Sequence, residues 1–83
     1  MLSVRFFASL RERLDCAALT LDWQPEWACI GDLHAALMAR GPLWAEALDK
    51  PDLRCARNQQ VADLQAPLED GDEVAFFPPV TGG

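Results

Sequence analysis

The 83-residue chain predicts an α+β domain, a mixed sheet packed on one main helix. Three observations carry that prediction. Leu2, Val4 and Phe6 near the start, and Val74 and Phe76 near the end, alternate with other residues in the period-2 pattern of half-buried strands. Between them Ile30, Leu33, Leu37 and Met38 recur at i, i+3, i+7 and i+8, the stripe of an amphipathic helix. The hydrophobic fraction of 51% supplies one core, and the length allows no second.

Each element follows from local chemistry. Leu2, Val4 and Phe6 place one face of a first strand inward. Ser9-Leu10-Arg11-Glu12 has a serine and a glutamate at capping-box spacing, which predicts a short helical turn beginning at Ser9. Leu19, Leu21 and Trp23 alternate with Thr20 and Asp22 as a second strand, antiparallel to the first across a long loop. Asp32 lies in the first turn of the main helix, where a negative charge suits the helix dipole. Arg40-Gly41-Pro42 ends that helix with a cation, a permissive residue and a helix stop. Trp44 and Leu48, at i and i+4, predict a short further helix. Leu53 to Arg57 reads as a third strand and Gln60 to Ala62 as a brief fourth. Asp70-Gly71-Asp72 makes a turn into the last strand, Glu73 to Phe77, which Pro78 closes because proline donates nothing to a sheet ladder. The order β-β-α-β-(β)-β in so small a chain is that of a ubiquitin-like β-grasp. We divide it into a domain over 1–79 and a C-terminal tail over 80–83.

Composition narrows the partners. Thirteen acidic residues against seven basic ones leave a net charge of −6, which repels phosphate backbones and anionic membrane surfaces. No nucleic-acid or membrane partner is expected, and the balance favours partners with basic docking surfaces. Cys16, Cys29 and Cys55 are odd in number and form no C-x-x-C pair, which argues against disulfides and zinc and fits a reducing cytoplasm. Each reads as a small, partly buried hydrophobe. There is no basic-then-apolar leader, and no apolar run approaches the roughly 20 residues of a membrane helix.

No internal active site emerges. Glu69-Asp70-Gly71-Asp72-Glu73 gathers four carboxylates, but without the acid spacing of a calcium loop it reads as a solvated turn. His34, the sole histidine, lies beside the helix stripe and reads as packed or solvated. Glycine-rich phosphate loops and nucleophile elbows are absent from the sequence.

The tail and the aromatic pairs point outward instead. Val80-Thr81-Gly82-Gly83 ends in two residues without Cβ atoms, the thinnest backbone a chain offers, able to enter a narrow channel and present a carboxylate. Phe6 and Phe7 are adjacent in one strand, so their side chains leave on opposite faces, and Phe76 and Phe77 do the same. With Phe6 and Phe76 inward, Phe7 and Phe77 share an outer face near the root of the tail.

Asp70-Gly71-Asp72-Glu73-Val74-Ala75-Phe76-Phe77-Pro78-Pro79-Val80-Thr81-Gly82-Gly83 resembles the C-terminal signature of the molybdopterin synthase small subunits, the MoaD-type sulfur carriers. Val4-Arg5-Phe6-Phe7-Ala8 with Leu10-Arg11-Glu12 is similar to that family's first strand and turn, and Asn58-Gln59 and Pro67-Leu68 also match. The likeness spans nearly the whole chain and is least between Cys16 and Pro51. It assigns no role to Trp23, Trp27 or Trp44.

The resemblance implies a carrier that is catalytic only within a heteromeric sulfurtransferase. Its partners would be the large synthase subunit, with which it forms a heterotetramer, an E1-like adenylating enzyme, and a sulfurtransferase or cysteine desulfurase. ATP activates the Gly83 carboxylate as a covalent AMP adduct, an acyl adenylate, sulfur then makes a thiocarboxylate, and Gly82 keeps the approach open. The sulfur goes to cyclic pyranopterin monophosphate, forming the dithiolene of molybdopterin in molybdenum cofactor biosynthesis. Phe7, Val61, Phe77, Pro78, Pro79, Val80 and Thr81 would meet the large subunit. No metal or resident cofactor is implied. Alternative readings are a thiamine-type or other sulfur carrier, a ubiquitin-like modifier of protein lysines, and a β-grasp binding module with an inert tail.

Overall fold

The computed structural model describes residues 1–79. Its elements run β1 (Leu2–Phe6), α1 (Ala8–Leu14), β2 (Ala18–Leu21), α2 (Ile30–Met38), α3 (Pro42–Leu48), β3 (Arg54–Arg57), β4 (Gln60–Ala62) and β5 (Glu73–Phe77). The five strands form one sheet in the order β2-β1-β5-β3-β4. β1 and β5 run parallel at its centre, with Val4 beside Val74 and Phe6 beside Phe76, and the other neighbours are antiparallel. This is the mixed sheet on one main helix that the alternation predicts, in the ubiquitin-like β-grasp arrangement.

One face of the sheet is the core. Leu2, Val4 and Phe6 from β1 meet Val74 and Phe76 from β5, with Ile30, Leu33 and Leu37 of α2 and Leu48 of α3 closing over them. Phe6 stacks on Phe76 at 6.2 Å between ring centroids and takes Trp44 edge-on at 5.6 Å. Trp44 in turn lies beneath the Arg40 guanidinium at 4.7 Å. His34 is packed: its Nε2 donates to the Leu48 carbonyl at 2.8 Å, tying α2 to α3, and its ring lies 6.0 Å from Phe76.

Several local expectations change. α1 begins at Ala8, with Phe7 as its extended N-cap, so Ser9 lies inside the helix and caps nothing. The cause is the sheet: the Phe7 N–H donates to Phe76 across the strand pair, while the Phe7 carbonyl already accepts from Arg11. The reciprocal role falls to Asp32, whose carboxylate accepts from the Ala28 and Cys29 N–H groups at 2.9 and 3.2 Å and so anchors the start of α2. β2 stops at Leu21, leaving Trp23 beyond the strand and packed on the core edge with its indole N–H unpartnered. Gly41 and Pro42 do more to start α3 than to end α2. Gly41 is its N-cap at φ 157° and ψ 172°, a region kept for glycine, and Pro42 fills the first helical turn.

The acidic turn is not uniformly solvated. Asp72 is 7% exposed and accepts hydrogen bonds from Arg57 Nε at 2.8 Å, Asn58 Nδ2 at 3.0 Å and the Glu69 N–H at 2.8 Å. Asn58 Oδ1 accepts from the Glu73 N–H at 2.9 Å, so two turns are buttoned together. Asn58 and Gln59 both have positive φ, 50° and 70°, as a tight hairpin between β3 and β4 requires. Burial pushes the Asp72 carboxyl up, but the hydrogen bonds from Arg57, Asn58 and Glu69, with the Arg57 charge, outweigh it and hold the group below its ordinary 3.8. A depressed folded pKa adds stability that is full above the ordinary value and lost as pH falls through the lower one. Asp72→Asn should therefore cost about 1–3 kcal/mol at neutral pH and flatten the loss of stability below roughly pH 4. Urea midpoints for both proteins across that range check it.

Candidate docking face and carrier terminus

The sheet's other face is built by the same alternation. Registers across all five strands align Ala18, Arg5, Ala75, Ala56 and Val61 in one row. The next row toward the tail holds Phe77 opposite Arg54, with Phe7 just past the end of β1 beside them. Three alanines make a low floor, from which Val61 rises 80% exposed and Phe7 45% exposed. Phe77 is half-buried. Phe6 and Phe76 point into the core, so both aromatic pairs split across the sheet as their adjacency requires.

Phe7 and Phe77 are thus brought together, and Val61 shares their face two strands away from β5. Pro78 and Pro79 leave β5 half-buried along a cleft of about 220 Å³, between Leu10 and Arg13 of α1 and Lys50 and Leu53 before β3. Proline's fixed φ makes that exit stiff. Val80, Thr81, Gly82 and Gly83 lie outside the described residues, as does the carboxylate read as the reactive group.

Two arginines on this face escape a reading by sequence. Arg5 sits in the central row, its Nε 3.4 Å from Glu73 Oε2, and Arg54 lies across from Phe77. Alternation within β3 is too weak to orient Arg54; its register against β5 does so. The alanine floor is equally silent in sequence, since alanine marks neither strand face.

The three thiols are free. Cys16 and Cys29 are half-buried and Cys55 is buried. Burial first, and then the charge of Asp63, push the Cys55 thiol up, away from the thiolate form that carries sulfur chemistry. The Cys29 Sγ donates to the Asp32 carboxylate at 3.6 Å, within the cap of α2. Replacing each cysteine by alanine should leave unchanged the sulfur loading that the resemblance implies, with only packing losses for Cys55. A Cys29→Ala protein that folds normally yet accepts no sulfur in a loading assay would require a thiol relay.

Among the described residues no cluster of histidine, cysteine and acidic side chains could hold a metal ion, and no helix is long and apolar enough to cross a membrane. With Val61 and Phe7 the face is an exposed apolar surface of the kind that another protein covers.

Comparison with known proteins agrees from end to end. The chain is 42% identical over 83 residues to the molybdopterin synthase sulfur carrier subunit of Haemophilus influenzae, covering 100% of both chains. Among solved structures it is similar to small archaeal modifier protein 1 of Haloferax volcanii, with a TM-score of 0.74, 27% identity, and 95% and 97% of the two chains covered. It also resembles a chain of the complex of subunits 1 and 2 of the molybdopterin-converting factor from Helicobacter pylori, with a TM-score of 0.65, 28% identity, and 99% and 97% covered. The ThiS family model matches residues 4–83, taking in the sheet, the proline exit and the Gly-Gly end together, and the chain belongs to that family.

Proposed function

We propose that the chain is the sulfur-carrier small subunit of a molybdopterin synthase, loaded and unloaded at Gly83. The observation that carries this reading is the 42% identity to a sulfur carrier subunit with both chains covered throughout. The outer sheet face, with Phe7, Val61 and Phe77, is the surface that the large subunit covers.

The chemistry divides between carrier and partners. A carboxylate is a poor electrophile, so an E1-like enzyme joins the Gly83 carboxylate to AMP from ATP, releasing pyrophosphate. A persulfide on a sulfurtransferase or cysteine desulfurase then displaces AMP to give an acyl disulfide, and a thiol reductant cleaves its S–S bond, leaving the thiocarboxylate on Gly83. That group is an anion at neutral pH with its nucleophilicity on sulfur; it displaces an oxygen substituent from a carbon of cyclic pyranopterin monophosphate held by the large subunit, and water then cleaves the resulting thioester, leaving sulfur on the pterin and restoring the Gly83 carboxylate. Gly82 and Gly83 give the narrow approach, Pro78 and Pro79 the stiff exit, and Val80 and Thr81 the span between. Binding energy gathered on the sheet face positions the reacting atom far from it. Acid and base groups come from the partner, the carrier binds no cofactor of its own, and all of this occurs in the cytoplasm.

The likeness to an archaeal modifier protein supports a second reading, in which the same activated glycine is passed to a protein lysine. Mass spectrometry of the protein from its own cells separates the two. A species heavier by the sulfur-for-oxygen difference at Gly83, consumed when the large subunit and pterin precursor are added, is expected. Gly83 found only in isopeptide bonds would favour the modifier.

A further inference from the structure

The net charge of −6 points to basic partners, but the sheet face is a local exception. Its charged side chains at the aromatic end are guanidinium groups. Arg5 already has Glu73 at 3.4 Å within the chain. Arg54 is exposed, is held in register with Phe77 across the β3–β5 pair, and among the described residues has no carboxylate within ion-pairing distance. We infer that the partner surface covering this face carries a carboxylate opposite Arg54, beside the apolar pocket that receives Phe77.

The inference rests on the docking reading above and deepens it. Seating Phe77 against a partner takes water away from its cross-strand neighbour, because paired side chains on one sheet face stand within about 5.5 Å at Cβ. A guanidinium stripped of water without a partner is strongly unfavourable. Arg54 cannot avoid this by turning to the core, since the adjacent pair Cys55 and Phe76 occupies that side. Nor does its own strand supply a carboxylate: β3 reads Arg-Cys-Ala-Arg, and Arg57 is engaged by Asp72 and Glu69 at the far end. A planar fork of donors fits a carboxylate in two-point contact, which also fixes the rotation of the carrier about the Phe77 anchor. That rotation decides where the tail points. Arg54 is a specificity-determining residue in this scheme, distinguishing the true partner from other apolar surfaces.

Titration of the full chain with the isolated large subunit, at low and high salt, tests it. Arg54→Glu should weaken binding about tenfold or more at low salt, because it sets a second carboxylate against the partner's in a site closed to water. Most of the deficit should persist near 1 M salt, because charges taken out of water are screened much less than exposed ones. Arg54→Gln, which removes charge without reversing it, should fall between. Arg40→Glu changes net charge equally but lies on the helical side over Trp44, and should bind within about twofold of the parent. Equal losses for Arg54→Glu and Arg40→Glu would mean that net charge alone acts, and overturn the inference. It also fails, with the docking face intact, if Arg54→Glu binds normally while Phe77→Ala does not. If Phe77→Ala binds normally too, the docking face itself is wrong.

Discussion

Removing Gly83, or adding one residue after it, is expected to abolish sulfur transfer without changing thermal stability. One residue moves the reacting atom by about 3.3–3.6 Å, and a misplacement of about 1 Å can already cost roughly a hundredfold in rate. Deletion leaves a carboxylate on Gly82 that falls short of the same point. The core does not register either change: its last member in sequence is Phe76, and Pro78 and Pro79 separate it from the tail. The check is conversion of pterin precursor by loaded carrier and large subunit, beside a melting curve for each variant. An extended carrier that still turns over the precursor would remove Gly83 from its assigned role.

The second large effect separates two adjacent phenylalanines. Phe76→Ala should cost about 3–5 kcal/mol of stability, because the side chain is fully buried against Phe6 and the α2 stripe and leaves a cavity. That is a large part of the roughly 5–15 kcal/mol typical of a domain, and a small chain sits low in this range. Phe77→Ala should barely move the melting temperature. It should instead weaken the complex with the large subunit by about thirtyfold, the equivalent of about 2 kcal/mol for one aromatic anchor. Phe6→Ala should behave like Phe76→Ala, and Phe7→Ala like a milder Phe77→Ala. Melting and titration of all four variants decide the matter: if the outer pair melts low and binds normally once folded, the faces are inverted.

Those faces are legible in the sequence because alternation is a local rule. Two phenylalanines in adjacent strand positions must part, and one apolar neighbour on each strand says which goes inward. The α2 stripe was legible for the same reason, as were the turn at Asp70-Gly71-Asp72 and the strand stop at Pro78. What stayed hidden depends on partners distant in sequence. Ser9 has the right spacing for a cap, yet the hydrogen bond from the Phe7 N–H to Phe76 starts the helix two residues too early. Asp72 looks like its solvated neighbours until β3 brings Arg57 and Asn58 to it. Arg54 belongs to a short strand whose own pattern is nearly mute, and only its place opposite Phe77 gives it meaning. Trp23 continues the alternation of β2 in sequence, but β1 offers no residue to pair with it, since the ladder ends at Leu2 opposite Leu21.

β5 follows every other described element in sequence, yet it lies between β1 and β3. During synthesis the chain therefore emerges with its sheet in two halves, β2-β1 and β3-β4, and no contact in the sheet joins them. Only the arrival of Glu73 to Phe77 closes the gap, completing the Phe6–Phe76 core on one side and the Phe7–Phe77 face on the other. A chain that stops before Glu73 consequently lacks both the closed core and the Phe7–Phe77 face. The strand that leads into the tail is thus also the one that completes the sheet.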